Sequence, residues 1–507
     1  MVASRLSRYR TTGSRVEALG ASGVRVTLRA QVVRGSAFLV IRQGVGVVIG
    51  VGGILLLTRL IGPAAYGTFA AAQVVLSYAV AVTELGLGVY LIRMAQSEEE
   101  TAFHQAFTLL LILGVGGALI GMALLPLLKA LVPLPGFGPA VVALLAGLPM
   151  VHLAKVPIAR LEHRLDYRRV AIIEIAGIFA YYGVALGLAF RGWKVGAPIA
   201  GWWAQFGLHL LMAFRTGYRP RLMWNVPLIR KMLRYGTAYS VSLWVQQLRS
   251  FINPVIVGRF VGATGVGYVA LAIRIVEQLG FVRTATARIS IAALARLQGE
   301  RERIERAVTE GMTLQILSVG PLFIAFGLVA PWAIPRAFGP AWLPVLQIYP
   351  FVAVGYLFGA MFLLHTSTLI VLERNAAATA FYAAQITALG GVAWFLVLSN
   401  GVVGYAWAEV ATVPVYLYLH VLVRRYAASP DYLIPSLWLV AFTLPLLSFG
   451  YMRYTFVFAF APLLVPSARH QLLDVARVVF RRSAPADEQL PDGALVAADG
   501  QDEALRA

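Results

Sequence analysis

The sequence predicts an all-α polytopic membrane protein with about fourteen transmembrane helices. It reads as two parallel six-helix repeats around a central cavity, with both termini inside. Three observations carry this reading: composition, the alternation of loop charge, and one motif that recurs 200 residues later. Of 507 residues, 59% are hydrophobic and only 13% charged, and the mean hydropathy is +0.75. A soluble chain carries about 25% charged residues. Here the apolar residues gather in runs of roughly 20, the length that crosses a bilayer core.

Twelve apolar segments fall at 39–60, 64–91, 104–128, 137–158, 170–190, 195–214, 235–257, 264–294, 307–331, 343–371, 376–398 and 402–423. Two shorter ones follow at 433–449 and 453–467; they are two spans or one re-entrant hairpin, so twelve full spans is the alternative count. Residues 1–36 form a basic cytoplasmic tail, with no apolar run and small-residue cleavage site to mark a signal peptide. Within it, Val24–Arg34 is either a basic amphipathic stretch on an anionic leaflet or plain disordered tail. An Arg-rich, acid-poor start also fits an organellar transit peptide, the lesser alternative. The domains are then a six-helix bundle at 37–214, a basic linker at 215–234, a second bundle at 235–425, two added helices at 426–468, and a cytoplasmic tail at 469–507. That tail is Pro-, Ala- and acid-rich from about Ser483 and reads as disordered.

Loop charge tests the count. With the N-terminus inside, the outside turns hold seven basic residues: Arg59, Lys129, Arg191, Lys194, Arg259, Arg336 and Arg453. The inside segments hold 32 of the 43. The alternation never breaks, as the positive-inside rule requires. Outside connections are short, which leaves no room for an outward-facing catalytic domain.

Several chemistries are excluded or disfavoured. There is no cysteine, hence no disulfide and no thiolate metal site. The seven histidines lack metal-ligand spacing, so neither metal nor cofactor is expected. The net charge of +20 is explained by cytoplasmic loops, and no nucleic acid is expected as a partner. The run QGVGVVIGVGG (Gln43–Gly53) imitates a dinucleotide fingerprint but lies inside a span, where small residues let helices approach.

The recurring motif is LLLTRLIGPAAYGTFA (Leu55–Ala70), matched without a gap by VIVGRFVGATGVGYVA (Val255–Ala270). Arg59, Gly62, Gly67 and Ala70 pair with Arg259, Gly262, Gly267 and Ala270. Both copies join consecutive spans, the first to the second and the seventh to the eighth. Six helices separate them, so the halves share one orientation, as in transporters whose two bundles rock about a central site.

The run R-L-I-G-x-x-x-Y-G, followed by a long second helix with TELGLG (Thr83–Gly88) near its inner end, resembles the Wzx-type oligosaccharide flippases of the polysaccharide-export family. These belong to the multidrug/oligosaccharidyl-lipid/polysaccharide (MOP) exporter superfamily. LRYGTAYSVSLWVQQL and GRFVGATGVGYVALA carry the same likeness in the second half, and the resemblance covers roughly 37–425. It implies a bacterial inner-membrane flippase, not an enzyme, acting on oligosaccharide repeat units linked to undecaprenyl pyrophosphate. Such a protein serves exopolysaccharide, capsule or O-antigen synthesis. The implied partners are that glycolipid, membrane lipids, H+ or Na+ for coupling, and a polysaccharide polymerase with its export machinery. The superfamily's lipid II flippases carry arginines within the first helix. None lies in Val45–Leu57, which counts against a peptidoglycan precursor.

Charges deep in a bilayer are costly and should face water or a partner. Span 7 places Gln246, Arg249 and Asn253 on one face, with Pro254 as a bend; span 8 carries Arg274, Glu277 and Arg288 on one face and Arg283 nearly opposite. These residues are the candidates for a cationic cavity that holds a pyrophosphate, since the guanidinium fork donates two parallel hydrogen bonds. Trp244, Gln246, Gln247, Tyr356, Gln385 and Tyr405 are candidate sugar contacts. The competing structural reading pairs the arginines with Glu277, Glu310 or Glu409, or lets Arg283 and Arg288 snorkel. The first half, where Gly46 and Gly53 are the equivalents of Gln246 and Asn253, is expected to be the smoother wall. Glu84, Glu277 and Glu409 are the candidates for ion coupling, with a packing ion pair of Glu84 to Arg93 or Arg42 preferred for Glu84. His152, His209 and His365 are expected to be packed or hydrogen-bonded. The rival functions are a multidrug cation antiporter, which would favour an acidic cavity, an integral-membrane polymerase or acyltransferase, and a scaffold without a cavity.

Overall fold

The computed structural model describes residues 10–93, 99–281, 283, 294, 301–426, 429–448, 453–470 and 472–473, and no strand occurs among them. Among the described residues, seven helices are long and apolar enough to cross a membrane: Gly44–Glu84, Glu100–Ala123, Phe137–His163, Tyr167–Phe190, Arg301–Ala337, Val345–Val371 and Asn375–Tyr426. The chain is a multi-pass membrane protein. Large side chains face outward where a soluble protein would bury them, with Val48 73% and Phe190 and Phe395 each 71% exposed. A lipid surround makes that arrangement favourable.

Two of these helices are broken part-way along their length. The 41 residues of Gly44–Glu84 would rise about 60 Å, twice a hydrocarbon core of about 30 Å. The continuous helix Arg10–Glu84 is broken at Gly62, where φ is 79° and ψ 170°, and Pro63 starts the second arm. No atom crowds Gly62, so the left-handed φ, not lack of space, is what calls for glycine. Gly401 (φ 59°) breaks Asn375–Ala411 in the same way. Gly262 repeats the Gly62 conformation (φ 86°, ψ −171°) as the cap of Ala263–Leu279.

The turns meet at one end of the molecule. Thr68 Oγ1 donates to the Pro135 carbonyl at 3.3 Å, and Arg59 Nη1 donates to the Arg336 carbonyl at 2.9 Å. Gly67 and Gly267 lie against each other. A Cβ on Gly67 would strike the Ala263 carbonyl and sit 2.6 Å from the Gly267 nitrogen; one on Gly267 would strike the Pro63 carbonyl. Beside them, the buried Trp342 takes Tyr66 and Tyr268 edge-on, with ring centroids at 5.8 and 6.0 Å. The two motif copies are therefore in contact with each other.

Several segments differ from expectation. The basic stretch read as a tail is helical from Arg10 onward, continuous with the first span. The segment predicted at 264–294 is described as a helix over Ala263–Leu279, and Arg288 lies outside the described residues. The last apolar segment is a 3₁₀ helix, Arg453–Leu464, with Pro462 inside it. Its 12 residues, like the 16 of Leu433–Ser448, reach only about 24 Å. The predicted Pro254 bend is a change of helix type: Val226–Leu248 tightens into a 3₁₀ turn at Arg249–Phe251, then widens into a π-helix at Asn253–Val257.

Candidate functional site

A cavity of about 620 Å³ lies between the two halves. Its C-terminal wall comes from the irregular stretch just described and from Ala263–Leu279. It presents Arg249, Asn253, Arg274 and Glu277, with Tyr405 behind. π-turns of this kind concentrate at functional positions because they re-aim side chains.

Arg249 is firmly held. Its Nη2 donates to Glu409 Oε2 at 2.5 Å, while Tyr405 Oη donates to Glu409 Oε1 at 3.0 Å. Glu409 is buried, and Arg249 Nε is buried without a hydrogen-bond partner among the described residues. Asn253 donates through Nδ2 to the Val266 carbonyl at 3.3 Å, leaving its buried Oδ1 unpartnered. Arg274 is the looser cation. Its Nη1 stands 3.7 Å from Glu277 Oε2, and both side chains are about half exposed to the cavity. Glu277 lies in the fields of Arg274, Arg249 and Arg283. Each cavity arginine thus has a carboxylate answering it, Glu409 tightly and Glu277 weakly.

A family model described as polysaccharide biosynthesis protein matches residues 56–347, more than half of the chain. The chain belongs to that family. Amylovoran biosynthesis protein AmsL of Erwinia amylovora is 26% identical over 160 residues, 31% of this chain and 41% of that protein. The chain therefore spans less than half the length of that curated relative. Among solved structures, lipid II flippase MurJ in an inward closed conformation matches with a TM-score of 0.63, over 89% of this chain and 99% of that one, at 12% identity. A MATE-family multidrug transporter of the MOP superfamily scores 0.53 inward-facing and 0.51 outward-facing, over 77% of this chain and 96% of the other, at 17% identity. This polysaccharide biosynthesis protein shares the fold of those transporters.

Not every residue singled out in the family member's sequence reaches the cavity. Gln246 is exposed and does not line it; Gln247 does. The regular 3.6-residue period that grouped Gln246 with Arg249 and Asn253 ends at Leu248, where the helix changes type. Arg283 is also absent from the lining, its guanidinium lying 4.3 Å above the Tyr356 ring. Gln385 donates to Tyr416 Oη at 3.1 Å. Trp244 Nε1 donates to the Ala81 carbonyl at 2.9 Å, tying the two halves together away from the glycine contact. Glu84 pairs with Lys155 and lies outside the cavity; the side chains of Arg93 and Arg42 are outside the described residues. His152 meets Thr83 Oγ1 at 2.7 Å, and His365 meets Tyr432 Oη at 2.7 Å. His209 packs edge-on to Phe206.

The N-terminal wall of this polysaccharide biosynthesis protein is not smooth. Tyr66, Gln73, Tyr181, Tyr182, Trp202 and Gln205 line it. Of the two first-span glycines that suggested smoothness, Gly53 makes room for one of these rings. A Cβ on Gly53 would fall within the Tyr182 ring, and Tyr182 Oη donates to the Gly50 carbonyl at 3.0 Å. A signal for this wall was present in Trp202, Gln205 and Phe206, which share one helical face at i, i+3 and i+4 spacing.

Proposed function

We propose that this protein is a flippase of the bacterial inner membrane. It moves oligosaccharide repeat units linked to undecaprenyl pyrophosphate, for exopolysaccharide, capsule or O-antigen synthesis. The observation that carries the proposal is Arg274, a half-exposed guanidinium with one weak contact, opening into a cavity between two halves of a chain in the polysaccharide biosynthesis family. Its free donors suit pyrophosphate oxygens. Arg249, fixed by Glu409, adds field without moving. Asn253 offers a neutral polar group beside them. Arg283 serves from behind Tyr356, and Arg288 and Gln246 stay secondary candidates.

The finer architecture belongs to the same proposal: fourteen helices, N-in and C-in, as two parallel six-helix bundles (37–214 and 235–425) joined by the 215–234 linker. The two short helices of 426–468 and the terminal tails complete it. Support comes from three pairs of positive-φ glycines, Gly62 with Gly262, Gly136 with Gly339, and Gly192 with Gly401, in matching order; Gly86 and Gly217 share the conformation without a counterpart among the described residues. Transport follows by alternating access, the halves parting at the glycine contact or at the Trp244–Ala81 tie in turn. Of the three coupling candidates, Glu277 lines the cavity, while Glu409 and Glu84 are engaged by Arg249 and Lys155. A cation or proton at Glu277 would release Arg274 for the headgroup. The multidrug antiporter alternative is disfavoured because an arginine answers both carboxylates of the site.

Deletion of the gene, followed by analysis of lipid-linked intermediates, tests the proposal. Accumulation of repeat units on the inner leaflet is expected. Unpolymerised units on the outer face would point to a polymerase instead.

A further inference from the structure

Resting on the flippase reading, we infer that the N-terminal wall of the cavity is a carbohydrate subsite, which holds the sugar next to the pyrophosphate while Arg274 holds the phosphate. Sugars present an apolar C–H face and a rim of hydroxyls. The wall offers rings and neutral amides to match, with Tyr181, Tyr182 and Phe206 supplying faces and Gln73 and Gln205 supplying paired donors and acceptors.

Three observations support this division of labour. First, the walls differ in kind: the lining residues with formal charge, Arg249, Arg274 and Glu277, all lie on the C-terminal side, and those of the N-terminal side are neutral. Second, Gln73 Oε1 is buried and has no hydrogen-bond partner among the described residues. A buried amide oxygen left unpaired is unfavourable, and a rotation of the Gln73 side chain toward the cavity would let a ligand hydroxyl satisfy it. Third, the rings of the wall are braced against one another. Tyr181 and Tyr182 pack edge-on at 4.8 Å, Tyr182 is tied to Gly50, and Trp202 backs Phe206 at 4.9 Å. The two walls are also near each other, since the field of Arg274 reaches Tyr66, Tyr181 and Tyr182. A volume of about 620 Å³ lies within the range of about 300–1,000 Å³ that encloses a ligand of a few rings. It fits the sugars nearest the phosphate.

The test compares two probes on the purified full chain: undecaprenyl pyrophosphate, and the lipid-linked repeat unit extracted from cells that encode this protein. The wild type should bind the glycosylated probe about tenfold more tightly. The double variant Gln73→Ala/Gln205→Ala should lose most of that preference, with its affinity for undecaprenyl pyrophosphate unchanged. Arg274→Ala should weaken both probes alike. Retained affinity for undecaprenyl pyrophosphate shows that a variant is folded; if the double variant does not purify, the single Gln205→Ala change should lower the preference about threefold. A preference that survives these changes, equal loss for both probes, or no preference in the wild type would overturn the subsite. A wild type that binds neither probe would instead remove the flippase reading beneath it.

Discussion

Arg249 and Glu409, 160 residues apart, form an ion pair with Nη2 2.5 Å from Oε2, and Tyr405 holds the same carboxylate in place. Removing one member of a buried pair strands the other, at a cost of about 3–5 kcal/mol. Arg249 keeps some exposure to the cavity, so Glu409→Ala should cost nearer about 2 kcal/mol, read as a lower unfolding midpoint in detergent. Arg249→Met/Glu409→Met should regain most of that loss. A double variant as unstable as Glu409→Ala would show that the pair is not the source.

The close approach of Gly67 and Gly267 leaves no room for a methyl group, because the obstacle on each side is backbone. Gly67→Ala and Gly267→Ala should each reduce polymer export by about tenfold or more, the order expected when a packed interface must shift. Gly52→Ala, where no atom lies within 4 Å, serves as the control and should export normally. Polymer yield at equal protein level is the measurement.

Glu84 and Lys155 pair outside the cavity, each about one-third exposed. Such pairs contribute about 0–1 kcal/mol. Glu84→Gln should therefore change export by no more than about twofold, and Glu84→Lys/Lys155→Glu should match the wild type. Loss of export in Glu84→Gln with normal protein level would instead make this carboxylate part of transport.

The parts legible in the sequence were those written into the backbone or into composition. Membrane residence followed from apolar runs, and the helix break at Gly62 followed from a glycine beside a proline between two of them. Partner choice was less legible. Glu409 was one of three carboxylates offered to the arginines, and only the fold brings it to Arg249 across 160 residues. For Glu84 the near neighbours Arg42 and Arg93 looked sufficient, yet Lys155 arrives from another helix. The N-terminal wall was missed because Gly46 and Gly53 read as absence, when Gly53 is the space into which the Tyr182 ring fits. Gln246 failed because helical periodicity stops where the 3₁₀ turn begins.

The Trp244–Ala81 hydrogen bond joins the halves at 2.9 Å. Trp244→Ala should loosen this tie and open the cavity on that side. The chain has no cysteine, so Ser77→Cys, at a cavity-lining position, gives a probe without background. Its reaction with a membrane-impermeant thiol reagent added to inside-out vesicles should quicken several-fold in Trp244→Ala, as expected for a shifted two-state population. Equal rates in both backgrounds would mean that the tie does not govern access.

The central claim, that the cavity carries a lipid-linked oligosaccharide across the membrane on Arg274, is tested most directly in proteoliposomes. The full chain is reconstituted with the labelled lipid-linked repeat unit, and its exposure to a membrane-impermeant glycosidase is followed over time. The account predicts rapid translocation by the wild type, about a hundredfold slower translocation by Arg274→Ala, and an intermediate rate for Arg274→Lys, which keeps the charge but loses the fork. Wild-type vesicles indistinguishable from protein-free ones, or an Arg274→Ala variant as fast as the wild type, would contradict it.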